Sequence, residues 1–206
     1  ELLFKQETSP LDTAAIILET VLGEGGYVPA PTAFLEGIRA ICDKHGILLI
    51  VDEIQAGFGR TGKMFAIEHS GVRPDLMTFA KGFANGYPIS CLVGNKGVMD
   101  VMSPGTLGGT YAGNAVACAA ARATIETFQN ERILENVAER SKQLFSGLEA
   151  IRQTSFGKVI EDIRGMGLMV GVQFASGPGE PITQRLSKAC LERDMLIMST
   201  SSFDVI

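Results

Sequence analysis

Two short stretches carry the residue types that could do chemistry. Residues 47–51, Ile-Leu-Leu-Ile-Val, form an apolar run that is followed at once by Asp52-Glu53-Ile54-Gln55. Such a run reads as a strand buried on both faces, and a carboxylate one residue past it needs a compensating partner because taking a charge out of water is costly. For Asp52 that partner is either structural, through a helix cap or a salt bridge, or chemical, through a cationic ring nitrogen. Lys81 stands at the end of the next apolar run, residues 76–79, and Gly82 after it would let the backbone approach a ligand closely. A lone lysine at a strand end is ordinarily a solvated surface residue. Taken together, an amine and a carboxylate at successive strand ends suit a cofactor that carries an aldehyde and a pyridine nitrogen.

Between them lies a glycine-rich loop that fits two nucleotide-binding patterns incompletely. Gly57, Gly59 and Gly62 satisfy G-x-G-x-x-G, but Asp52 to Ala56 separate the loop from its strand, and the next strand ends in Ala80-Lys81 without the acidic residue a ribose needs. Gly57 to Gly62 plus Lys63 also read as G-x-x-x-x-G-K. The following residue is Met64, where a P-loop needs a hydroxyl for magnesium. A tight glycine turn is the plainer reading, and a nucleotide-binding module is the weaker alternative.

The elements that must position these residues follow from periodicity. Residues 15–18 predict a buried strand that ends at Glu19 and empties into a loop containing Gly23, Gly25 and Gly26. Thr32 is a candidate N-cap for a helix with apolar residues at 34, 35, 38, 41 and 42, closed by His45-Gly46. A short helix over 65–70 and strands at 76–79 and 89–93 complete an α/β ligand-site pattern, with polar residues at the strands' carboxyl ends. After Gly113 the composition changes. Residues 114–128 are Ala-rich and helical, and an apolar stripe from Ile133 to Ile151 continues as a second helix. A strand over 168–174 bracketed by Gly165 and Gly167, a turn at 176–180, a helix over 183–193 and a strand over 196–198 predict a smaller α+β domain from about residue 130 onward.

Composition excludes several classes of function. With 46% hydrophobic and 20% charged residues in 206, the chain has the means to bury a core. A net charge of −5 without any basic run disfavours nucleic acid and anionic membrane surfaces. No apolar stretch reaches the roughly 20 residues of a bilayer span, so the expectation is an intracellular, cytoplasmic protein, or a mitochondrial one if a leader precedes Glu1. Cys42, Cys91, Cys118 and Cys190 show no C-x-x-C spacing and read as reduced, packed thiols. His45 and His69 are not spaced as a local metal pair, and no metal is expected.

Four motifs in order then carry a resemblance over nearly the whole chain: Ile16-Ile-Leu-Glu-Thr-Val-Leu-Gly-Glu-Gly-Gly26, Ile50-Val-Asp-Glu-Ile-Gln-Ala-Gly-Phe-Gly-Arg-Thr-Gly62, Asp75-Leu-Met-Thr-Phe-Ala-Lys-Gly82 and Gly108-Gly-Thr-Tyr-Ala-Gly-Asn114. The sequence resembles the C-terminal half of a class III, fold-type I aminotransferase dependent on pyridoxal 5'-phosphate (PLP), of the 4-aminobutyrate and acetylornithine kind. The resemblance implies an α/β fold in which residues 1–130 are part of the PLP-binding large domain, with a parallel-rich sheet, and 131–206 are an incomplete small α+β domain. It implies that Lys81 carries the cofactor as a Schiff base and then serves as the base that moves a proton, and that Asp52 bonds the pyridine nitrogen. By the same resemblance Ile54 packs on the ring, Gln55 reaches the ring-hydroxyl side, and Thr110 reaches the cofactor phosphate of a neighbouring subunit, so that a homodimer shares its active sites.

Glu19 resembles a glutamate that pairs with a substrate-binding arginine, a pair that opens to admit 2-oxoglutarate. The family's usual proline after it is Thr20 here, and Leu22 replaces a more usual polar residue, which leaves the amino donor open. The arginine is expected just beyond residues 203–206. The substrates implied are an ω-amino acid or similar amine donor and a 2-oxo acid acceptor. Decarboxylase, aminomutase and racemase chemistry share this scaffold, because the cofactor supplies the carbanion and the protein chooses the bond that breaks. The other alternative is a catalytically incomplete fragment or scaffold, self-associated through an uncovered sheet edge.

Overall fold

The structure is a computed structural model that describes residues 2–200 and 204–206. A short helix, α1 (Leu2–Gln6), precedes β1 (Ala15–Glu19), the two-residue strands β2 (Val21–Leu22) and β3 (Val28–Pro29), and α2 (Thr32–His45). Next come β4 (Leu48–Asp52), β5 (Leu76–Phe79), β6 (Cys91–Gly94) and the single-turn α3 (Lys96–Met99). The main sheet has the order β1-β4-β5-β6. β4 runs parallel to both β1 and β5, and β6 closes the sheet antiparallel to β5.

The buried runs explain why β4 is central. Leu49 and Val51 are wholly buried and pack with Leu35 and Cys42 of α2, Ile47 and Ile67. Each such side chain contributes about 1.5–3 kcal/mol on burial. Gly46 closes α2 in the left-handed region, at φ 68°, with its N–H bonded to the Cys42 carbonyl. Thr32 is not the N-cap. The Pro31 carbonyl accepts the N–H groups of Phe34 and Leu35, so the helix starts at Thr32 and Pro31 takes the cap position without a side-chain bond. The loop expected after Glu19 folds instead into the β2–β3 hairpin. Asp75 pins the layers together: its carboxylate accepts from Leu49 N at 2.8 Å, Arg39 Nη1 at 2.8 Å and Asn95 Nδ2 at 3.2 Å.

Beyond α4 (Ala115–Asn130) and α5 (Ile133–Arg152) lies an antiparallel hairpin, β7 (Ile160–Met166) and β8 (Met169–Phe174), followed by α6 (Ile182–Leu191). The sequence pattern misses β7, because Glu161, Asp162 and Arg164 interrupt its apolar alternation. The strand expected over 196–198 does not form. The outer edge of β8 is taken by residues 204–206 instead: Val172 and Ile206 exchange backbone bonds at 2.7 and 3.0 Å, and Phe174 N donates to Asp204 O at 2.9 Å. Phe203, in the segment after which the arginine was expected, lies outside the described residues. Among the described residues no helix is long and apolar enough to cross a membrane.

The hairpin docks back on the sheet's loops. Gly167, at φ 64°, lies so close to the chain at Arg60 and Thr61 that a Cβ there would stand 2.4 Å from the Thr61 carbonyl carbon. Arg164 donates from Nε to Gly26 O at 2.8 Å, and Met169 packs with Val21, Ala56 and Ala66.

Candidate active site

The parallel register puts Glu19 beside Asp52, and Asp52 beside Thr78, at the carboxyl ends of three adjacent strands. Asp52 is the last residue of β4 and is half-buried; its Oδ1 accepts from Ile54 N at 2.9 Å, which turns the chain away from the sheet. Lys81 follows β5 by two residues and opens a 3-10 turn over Lys81–Phe83. Its φ of 42° lies in the left-handed region, a strained position for a lysine that the surroundings must enforce. Gly82 beside it packs tightly, since a Cβ there would stand 3.1 Å from Phe58 Cβ. Phe58 is surrounded by Phe65, Phe79, Phe83 and Phe128, which gives the lysine turn a rigid aromatic base.

Gln55 joins the parts. Lys81 Nζ donates to Gln55 Oε1 at 3.1 Å, and Gln55 Nε2 donates to Tyr27 Oη at 3.2 Å. Glu19 Oε1 accepts from Gly23 N at 3.4 Å. A Cβ on Gly23 would stand 3.0 Å from Gln55 Oε1 and 3.3 Å from Glu19 Oε1, so both side chains close tightly on this turn. Ile54 is half-buried next to Gln55. Five of the six residues singled out from the sequence, Glu19, Asp52, Ile54, Gln55 and Lys81, therefore gather at one end of the sheet.

Thr110 does not join them. It is exposed on the turn-rich segment between α3 and α4, where Leu107 and Tyr111 are also in solvent.

Sequence reasoning missed Glu53. The desolvation argument made for Asp52 falls on its neighbour, which is fully buried at 0% exposure. Among the described residues no cation pairs with it. Instead it accepts hydrogen bonds from Thr20 Oγ1 at 3.3 Å, Ala66 N at 3.0 Å and Ile67 N at 2.7 Å, while its own N–H donates to Thr78 O at 2.8 Å. Burial pushes the carboxyl above its ordinary range, against the pull of those three donors. Glu53 thus ties the end of β4 to the residue after β1 and to residues 66–67 through its side chain, and to β5 through its backbone N–H. The signal was available, since two acids follow the buried run and alternation sends one of them inward.

The glycine loop is a turn and not a phosphate cradle. The N–H groups of Gly57, Gly59 and Gly62 bond the carbonyls of Glu53, Met64 and Gly59, leaving none of the three for a phosphate. Among the described residues no group of His, Cys, Asp or Glu could hold a metal ion. Nor does any ion pair among them engage Asp52 or Lys81, although the two opposite charges sit at neighbouring strand ends. The buried hydroxyl of Thr78, register partner of Asp52, also lacks a hydrogen-bond partner among the described residues. A carboxylate and an amine on a strained turn, neither in an ion pair among the described residues, and the amide bonded to that amine make a set that fits a ring bearing a nitrogen and an aldehyde.

Comparison with known proteins points the same way. The family model described as aminotransferase class-III matches residues 2–201. A 5-aminovalerate aminotransferase, DavT of Pseudomonas putida, is 45% identical over 98% of this chain and 48% of its own length. The 4-aminobutyrate aminotransferase GabT of Escherichia coli is 41% identical, also over 98% of this chain and 48% of its own. Among solved structures, a taurine:2-oxoglutarate aminotransferase from Bifidobacterium kashiwanohense, in complex with PLP and glutamate, superposes with a TM-score of 0.89 at 30% identity, over 98% of this chain and 48% of that one. The chain spans about half the length of the curated relatives it matches.

Proposed function

The chain belongs to the class III aminotransferases, whose cofactor is PLP, and from that premise we propose that the protein carrying it moves an amino group from an ω-amino acid to 2-oxoglutarate. The observation that supports the reading is the pair of unengaged opposite charges, Asp52 and Lys81, at successive parallel strand ends with Gln55 bonded to the lysine. When bound, PLP supplies an electron sink that allows a proton to leave the carbon bearing the amino group. Lys81 would hold it through Nζ, and the same nitrogen as a free amine would serve as the base that holds and moves the substrate's proton. Asp52 would keep a ring N–H in place, since a carboxylate favours the protonated partner. Ile54 would pack on the ring and Gln55 would reach its hydroxyl side.

Glu19, beside Asp52 in the register, would pair with a substrate-binding arginine and release it for the second carboxylate of 2-oxoglutarate. The exposed Thr110 would act in the neighbouring subunit of a homodimer, at the cofactor phosphate. Residues 1–130 would form part of the cofactor-binding domain and 131–206 part of the smaller one. The relatives' names make 5-aminovalerate and 4-aminobutyrate the first donors to try. The test is borohydride reduction of the complete, PLP-loaded protein and peptide mapping. A pyridoxyl group on Lys81, lost in Lys81→Ala, is the expected result; a loaded protein labelled elsewhere or nowhere removes the proposal.

A further inference from the structure

Tyr27 stands at the end of a chain of contacts that no role above uses. Lys81 Nζ donates to Gln55 Oε1 at 3.1 Å, which places the oxygen end of the amide toward the lysine. That choice turns Nε2 the other way, where it needs an acceptor, and Tyr27 Oη supplies one at 3.2 Å. Among the described residues Tyr27 Oη and Lys81 Nζ are the two side-chain partners of the Gln55 amide, so the phenol is the contact that holds it from the side away from the lysine.

The phenol is itself held. Tyr27 sits at φ 54°, in a region unfavourable to a residue with a Cβ, inside a turn where Gly26 N and Tyr27 N both bond Gly23 O at 3.0 and 3.2 Å. From the hairpin, Arg164 donates Nε to Gly26 O at 2.8 Å, and its Nη1 is fixed by Asp162 at 2.9 Å and Gln173 at 2.8 Å. The Tyr27 ring packs against the cluster of Val21, Ala56, Ala66 and Met169. A strained tyrosine, anchored from β7 and aimed at the amide that touches Lys81, is a larger outlay of structure than packing alone requires.

We propose that Tyr27 is a positioning residue: its hydroxyl holds the Gln55 amide in place beside Lys81, and Arg164 holds the turn that carries it. The inference rests on the proposed function, because it gives Lys81 and Gln55 their places beside the cofactor. It also couples the small hairpin to the lysine across Gly26, so a shift of β7 is felt at Nζ.

The test is a double-mutant cycle in the complete, PLP-loaded protein, read by the pH titration of the bound cofactor's absorbance. Tyr27→Phe keeps the ring and removes the acceptor, and is expected to move the titration midpoint by about 0.5–1 pH unit, the size of one neutral hydrogen bond. In a Gln55→Ala background the same change is expected to move it no further, because the amide through which Tyr27 acts is gone. Arg164→Met, which frees Gly26 O, moves the midpoint in the same direction by less; if Tyr27→Phe does not fold, this variant in both backgrounds answers the question. A Tyr27→Phe titration that coincides with the parent, or a shift that persists undiminished without Gln55, overturns the inference while leaving the proposed function standing. Absence of a cofactor band in the parent protein overturns both.

Discussion

The ends of β1, β4 and β5 and the segment between α3 and α4 both carry residues of the four family motifs, yet they are built in opposite ways. At the strand ends, Glu53 is sealed from solvent with three donors on its carboxylate, and Lys81 is bent into the left-handed region against a cluster of aromatic rings. Between α3 and α4, Val101, Leu107 and Tyr111 are 78%, 68% and 87% exposed around Thr110. The first region draws its rigidity from this chain. The second leaves apolar side chains in water and draws no rigidity from packing within the described residues.

Substitutions sharpen that contrast, in falling order of effect. Glu53→Ala strands three donors in a dry site and should cost about 3 kcal/mol or more, measured by urea unfolding of the complete protein; a loss below about 1 kcal/mol would mean that water enters there freely. Gly167→Ala places a Cβ against the Arg60–Thr61 backbone at a positive φ, and should cost about 2 kcal/mol by separating the hairpin from the loop. Asp204→Ala removes the acceptor for Ile182 N and Thr183 N at the start of α6, and should cost about 1 kcal/mol. Leu107→Ser with Tyr111→Ser should leave unfolding within about 0.5 kcal/mol of the parent at protein concentrations where it is monomeric, while weakening self-association in sedimentation; unchanged association would remove the idea that this segment is covered by a second subunit.

Acid titration separates the same groups. Burial alone would raise Asp75 and Asp204, but their hydrogen bonds, with Arg39 added for Asp75, leave both below the ordinary value of 3.8. A depressed folded-state value gives stability that is present above that ordinary value and lost as pH falls through the folded one. Glu53 has the opposite sign: its raised value means a contribution complete below 4.5 and lost as pH rises through the folded value. The stability profile of Glu53→Gln should therefore lack the decline above pH 4.5 that the parent shows, and an unchanged profile would assign that decline elsewhere.

Much of the sheet was legible because period and run length report burial directly. The strands at 15–19, 48–52 and 76–79 stand where apolar runs place them, and the helices at 32–45, 115–130 and 133–152 follow their apolar spacing. The hairpin was half legible. β8 has an apolar pattern, whereas β7 carries Arg164, whose charge is spent on Gly26, Asp162 and Gln173 in contacts that no local pattern encodes. Residues 196–198 looked like a strand by composition but form none, while residues 204–206 bond the edge of β8.

The sequence by itself determined the residue types at the strand ends and their order, because run length reports burial, and its four motifs carried the resemblance to the family. Only the tertiary structure decided which acid is sealed in and which is free, that Lys81 sits in a strained turn, and that Tyr27 reaches Gln55. Those outcomes depend on contacts between residues far apart in the chain, and a side chain's burial and hydrogen-bond partners are set by what packs around it rather than by its neighbours in sequence.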